Sequence, residues 1–337
     1  MCSGVIIFRG IYMKKFFLIF CFLLTSVYAD REFPGIENSR LSFDLSSRSS
    51  YWNEADELTL QHFIGIDFYK IITVDGSDFG SLTIQPFINR IDNGYRTPGV
   101  YDDNHDWEFL FRTFALNINA WGVDKPYFKL GHFEIPFGGE YNKDTFGDLH
   151  QYGQGLKMGM KMDWGFAVGQ ELKDWNYEFA LTRGSGMKYR DREDPYAISG
   201  RIGTLNDDTF VYGLSIFHGE ILKDKTTIKR DVLGLDFEYF LGNKSILVEL
   251  YGGQVEDDDL LGSLLEFNIK TYDERAEFYV QHFYQNLENN TYLSSAGFGV
   301  SYQYNNQLNL SAQFMKEFES PPEVQEELIE FQLRYRF

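Results

Sequence analysis

Cysteine is almost missing from this chain of 337 residues: Cys2 and Cys21 are the only two, and both precede position 30. From residue 30 onward the chain has no thiol, no disulfide framework and no cysteine-based metal site. The six histidines form no HExxH spacing and no Cys/His cluster. No G-x-S-x-G elbow occurs, and "RGSG" at 183–186 lacks the rest of a phosphate-binding loop, so it reads as a strand end. These absences argue against an enzyme and leave no cofactor to expect. A phospholipase-like barrel would need a Ser–His pair on its lipid face, and His62, His132, His218 and His282 read instead as outward interface residues.

Basic charge is also short. There are 31 Lys and Arg against 50 Asp and Glu. The balance excludes nucleic acid as a partner, because phosphate contacts need basic patches. Long apolar runs are confined to the start. Met13-Lys14-Lys15, the apolar stretch Phe16 to Leu24 and the small-residue site Val27-Tyr28-Ala29 have the layout of a secretory signal peptide cut before Asp30. The run is too short for a membrane anchor. Cys21 lies inside it, behind Phe20, which disfavours a lipid-modified N-terminus. Cleavage would remove three basic residues, leaving 28 against 50 and a net charge of −22. With no Pro/Ser-rich linker, residues 30–337 read as one domain.

What the chain does have is alternation. Leu308, Leu310, Ala312 and Phe314 alternate with Asn309, Ser311 and Gln313; Trp175, Tyr177, Phe179 and Leu181 alternate with Asn176, Glu178, Ala180 and Thr182. Strand side chains point to opposite faces in turn, so each such segment has one apolar and one wet face. A soluble sandwich would turn the apolar faces inward, and a membrane barrel would turn them to lipid. About sixteen segments can be drawn, at 39–47, 58–70, 80–91, 107–120, 126–136, 155–170, 174–183, 195–203, 209–219, 230–240, 245–253, 262–271, 276–286, 292–304, 307–318 and 328–337. The sixth is drawn as one long strand because Leu156, Met158, Met160, Met162, Trp164, Phe166 and Val168 keep one parity. Connections after odd strands come out longer than those after even strands, as in a barrel with long outer loops and short periplasmic turns. Aromatics make up 18% of the chain, and many fall near strand ends, where Tyr and Trp settle at a lipid–water boundary. Pro86 removes a ladder donor and predicts a bulge; Phe109, Leu110 and Phe111 break the alternation of 107–120. The expected fold is all-β: a transmembrane antiparallel β-barrel of about 16 strands.

The stretches "YFKLGHFEIPFGGEYNKDT", "MKMDWG", "WNYEFALTRGSG" and "ISGRIG" within 127–203, with the signal segment, the strand pattern and the terminal Phe337, resemble a Gram-negative outer-membrane porin of the phosphate-selective porin O/P-like family. That resemblance implies a homotrimer in the cell outer membrane, with a long third outer loop narrowing the lumen. Here that loop is 137–154, with Glu140, Asp144 and Asp148. It also implies that Phe337 is read by the barrel-assembly machinery. The sequence departs from the phosphate-binding type, which would need a ladder of cations to grip an anion.

A pore's working residues are the charges on its wall. Parity nominates Lys129, Lys157, Lys161 and Arg201 as a basic wall, and Asp236, Glu238, Glu249, Glu266 and Glu277 as an acidic wall opposite, with Asp163 and Glu178 also inward. Arg40, Arg183, Lys270, Arg334 and Arg336 are set against Asp44, Asp67 and Glu330 on the same face, which leaves the lumen nearly balanced. The expected function is passive diffusion of small hydrophilic solutes or ions through a water-filled barrel. An anion- or phosphate-selective channel and a non-conducting adhesin or structural anchor are the alternatives. Acidic residues at 102, 103, 106, 256–259, 323, 326 and 327 fall in the outer loops, where they either form a solvated surface or bridge to lipopolysaccharide through divalent cations.

Overall fold

The computed structural model describes residues 37–93, 106–119, 121–122, 125–143, 149–150, 157–189, 193–204, 209–223, 226–287, 291–319 and 326–337. The segment expected to be a signal peptide lies outside them, as do Asp144, Asp148, Asp102, Asp103 and Glu323.

Strands pair with their neighbours in sequence, all antiparallel, and the last closes on the first. They are β1 (Ser39–Trp52), β2 (Glu57–Val74), β3 (Ser77–Asp92), β4 (Glu108–Ile118), β5 (Tyr127–Glu134), β6 (Met162–Glu171), β7 (Asn176–Thr182), β8 (Ala197–Gly203), β9 (Phe210–Lys223), β10 (Thr226–Leu241), β11 (Lys244–Val255), β12 (Asp258–Lys270), β13 (Ala276–Leu287), β14 (Thr291–Gln303), β15 (Leu308–Glu319) and β16 (Glu327–Arg336). The chain is thus a closed 16-stranded barrel with no sheet edge, the arrangement that satisfies every ladder bond in lipid. Its outward face carries exposed apolar side chains strand after strand, among them Ile64, Leu130, Phe166, Leu214, Leu235, Leu250, Val280 and Phe331. Lipid can solvate such a belt and water cannot.

Local chemistry accounts for the turns and irregularities. Asp75 and Gly76 both have positive φ, 51° and 76°, the geometry of a two-residue hairpin turn that follows strand twist. The bulge expected at Pro86 is present: the β3–β4 register shifts between Gln85 and Pro86, and Arg112 is the residue left out of the ladder. That extra residue explains the broken alternation of β4. Leu110 is buried and faces inward before the bulge, and Ala115 does so after it, so parity resets between them.

Two expectations are overturned. The sixth strand does not begin at 155: it starts at Met162, and Lys157 and Lys161 belong to the preceding connection, 135–161. Met158 and Met160 are buried inside the barrel, 0% and 8% exposed, and are not on its outward face. Long and short connections also do not alternate throughout. Residues 224–225 and 256–257 make short links after β9 and β11, and only 93–107, 135–161 and 183–196 are long on the rim opposite the termini.

Candidate functional site

The described parts of the connection 135–161, residues 135–143, 149–150 and 157–161, lie inside the barrel and dock on the inner face of β8–β13. Its root is closed by the Ile135 N–H donating to the Lys161 carbonyl, 3.0 Å. Phe137, fully buried, lies over Gly234, where a Cβ would come within 2.8 Å of its ring. Gly138 adopts φ 68° against Glu249, and its N–H donates to Ser215 Oγ at 2.9 Å. A short helical turn, Gly139–Asn142, then passes β10. Further along, His150 stacks on Tyr279 of β13, with ring centroids 3.7 Å apart.

An apolar cluster inside the barrel holds this connection down. Ile135, Phe137, Met158 and Met160 pack with Phe217, Ile221, Val232, Leu247, Leu264 and Phe283 from the wall. The sequence reading missed this inner apolar face. Its signal is the adjacent apolar pair, as in Ile216-Phe217 and Leu264-Leu265, where one residue faces out and the other in.

Ion pairs complete the docking. Lys157 Nζ lies 2.9 Å from Glu249 Oε2, and both side chains are at most 1% exposed. Lys143 reaches Glu238 at 2.9 Å and Glu266 at 3.7 Å. Lys161 reaches Glu140 at 3.0 Å and Glu134 at 3.5 Å. On the wall, Arg201 grips Asp236 at 2.5 Å and Lys129 contacts Glu178 at 2.7 Å. Arg334 pairs with Asp44, and Arg336 with Asp67. The expected basic wall facing an acidic one is therefore corrected. Lys157 and Lys161 ride on the inserted connection, which carries Lys157 onto the acidic wall, and Arg201 is bonded to that wall directly. Coulomb attraction inside a half-dry barrel favours contact over separation. Glu277 is half-buried, opposite Lys270 in the ladder.

Asp163 does not line water either. Its carboxylate is fully buried and accepts N–H bonds from Gly184 (2.5 Å), Ser185 (3.1 Å) and Gly186 (3.0 Å). The "RGSG" segment is a backbone nest, and its anion is a side chain of the same chain. Burial also holds the Tyr141 phenol well above its usual pKa, so it stays neutral. Of the acidic residues assigned to outer loops, Glu326 is buried and Glu327 pairs with Lys316. His132 is buried beside Trp164, ring centroids 5.0 Å apart, and does not reach lipid.

The inner wall away from the docked connection adds amides and hydroxyls to its ion pairs. Gln61 donates to Asn89 (2.9 Å), Asn117 to Ser81 (3.2 Å) and Arg48 to Gln332 (2.9 Å). A search for charges alone passes over these amides.

No protein-family model matches the sequence, and no curated protein matches it either. Solved structures do share its fold. OmpF of Salmonella typhi, in complex with daunomycin, superposes with a TM-score of 0.65 at 9% identity, covering 92% of this chain and 100% of that one. The trimer form of in-vitro folded OmpT, an outer membrane protein of Vibrio cholerae, gives 0.64 at 13% identity, covering 89% and 99%. An anion-selective porin from Comamonas acidovorans gives 0.62 at 11%, also covering 89% and 99%.

Proposed function

We propose that the chain is an outer-membrane porin of a Gram-negative cell, through which small hydrophilic solutes or ions diffuse passively. The observation that carries this reading is the closed barrel with an apolar outside and, inside, polar and charged side chains beside an apolar seat onto which one connection folds. Barrels of this strand number leave an aqueous channel. The fold shared with OmpF and an anion-selective porin supports it.

Pairing of the inward cations with carboxylates favours weak ion selectivity and weighs against a phosphate-specific channel, which would need free cations. A homotrimer is supported by the trimer form of the Vibrio cholerae protein. The apolar belt is to be covered by lipid and lipopolysaccharide. The chain works without a catalytic step or a cofactor. Phe337 is taken as the mark read by the barrel-assembly machinery, and the segment before Asp30 as a signal peptide.

The test is single-channel conductance and reversal potential in a planar bilayer, with and without phosphate. A steady conductance with a reversal potential near zero supports the proposal. Saturation or block by phosphate would favour the anion channel, and no conductance at all would favour a plugged barrel acting as an anchor.

A further inference from the structure

The connection that follows β7 also turns inward. Its first residues, 183–189, leave Thr182 at the outer rim and are tied there to strands on both sides. Gly184 and Gly186 take φ 69° and 71°, which lets the backbone fold over the Asp163 carboxylate at the start of β6. The Gly184 carbonyl accepts from the Leu222 N–H of β9 at 2.7 Å. Lys188 pairs with Glu108, the first residue of β4, and Arg183 Nη1 donates to Tyr189 Oη at 2.8 Å.

Between these ties Met187 packs on the inner wall. It meets Phe63 of β2, Phe87 of β3 and Leu110 of β4, all three at most 9% exposed. These inward side chains form an apolar patch that water would otherwise meet, and a flexible thioether side chain suits the task of covering it. In the closed ring of sixteen strands, β3 is eight places from β11, in the middle of the wall on which the connection 135–161 docks. The two inserted segments therefore face each other across the lumen, each seated on its own apolar patch.

We propose that residues 183–189 form a second size-selecting element at the outer mouth, with Met187 as the residue that seats it. The inference rests on the porin reading. Two narrowings in series each add to the resistance that a bulky solute meets, whereas small ions feel chiefly the inner one.

Liposome swelling with the full chain tests it, with arabinose as the small probe and raffinose as the large one. Met187→Ser with Lys188→Glu removes the apolar contact and sets two carboxylates together. Limited proteolysis within 183–189 should then speed up by roughly tenfold, the effect of unseating one apolar side chain. The raffinose rate relative to arabinose should rise, while single-channel conductance stays the same. Glu108→Cys with Lys188→Cys, combined with Met187→Ser, compares one folded protein with itself, because no other cysteine occurs from residue 30 onward. A short thiol-reactive linker between the two sites should bring the raised raffinose ratio back down. A ratio unchanged despite faster proteolysis, one that rises only together with conductance, or one that linking does not lower overturns the proposal. Arabinose entry with an unaltered raffinose ratio removes the second element and leaves the pore. No arabinose entry through the unmodified chain removes the porin reading itself.

Discussion

Lys157 and Glu249 form an ion pair out of contact with water, 2.9 Å apart, between the inserted connection and β11. Removing one partner strands a buried charge, which costs about 3–5 kcal/mol. Lys157→Met is expected to loosen the connection and give a larger, noisier single-channel current. Lys157→Met with Glu249→Leu leaves no charge behind and should restore a quiet current. A double variant as noisy as the single one would show that the pair does not hold the connection.

Gly234 leaves the space that the Phe137 ring fills. Gly234→Val therefore forces the ring away, with an overpacking cost of about 1–3 kcal/mol. Liposome swelling should show faster entry of larger sugars, because the connection is lifted from the wall. Unchanged size exclusion would mean that the connection docks without Phe137.

Charge at the root of the connection should be felt by passing ions. Lys161 is 29% exposed and holds Glu140 and Glu134. Lys161→Glu puts a third carboxylate there and should move the reversal potential toward cations. An unmoved potential would place the ion path elsewhere in the lumen.

Asp163→Asn should act on the outer rim and not on conduction. The carboxylate anchors the amides of residues 184–186, and hydrogen bonds to a charged group are worth about 1.5–3 kcal/mol. Limited proteolysis within 183–196 is expected to speed up while single-channel conductance stays the same.

Phe337 extends the closing ladder: its N–H donates to the Phe43 carbonyl at 3.0 Å, and its ring stacks on that of Phe43, centroids 5.4 Å apart. Phe337→Ala should lower the yield of folded barrel in the membrane, measured by resistance to detergent unfolding on gels. Barrels that do fold should conduct normally.

The barrel was legible because alternation is local: each strand declares its two faces without reference to any other. The bulge at Pro86 was legible for the same reason, since a missing N–H is a property of one residue. The connection 135–161 was not. Residues 157–158 are helical and Gly159 has φ 82°, so Met158 and Met160 reach the buried core without a strand, and only their spacing in sequence made them look like wall residues. The ion pairs were also out of reach, because which carboxylate Lys157 meets depends on where the connection folds. The amide-rich wall was in plain view as Gln and Asn on inward positions, but a reading that sought formal charge had no reason to weigh it.

The apolar seat of the inserted connection makes the interior two materials in one enclosure. On the β9–β12 side an inward position is governed by volume and shape, as in the middle of a soluble protein. Across the lumen it is governed by hydration. Tolerance to substitution inside this barrel should therefore be lopsided: a serine in place of Leu264 is a defect, and a leucine in place of Ser311 is a change of solvent.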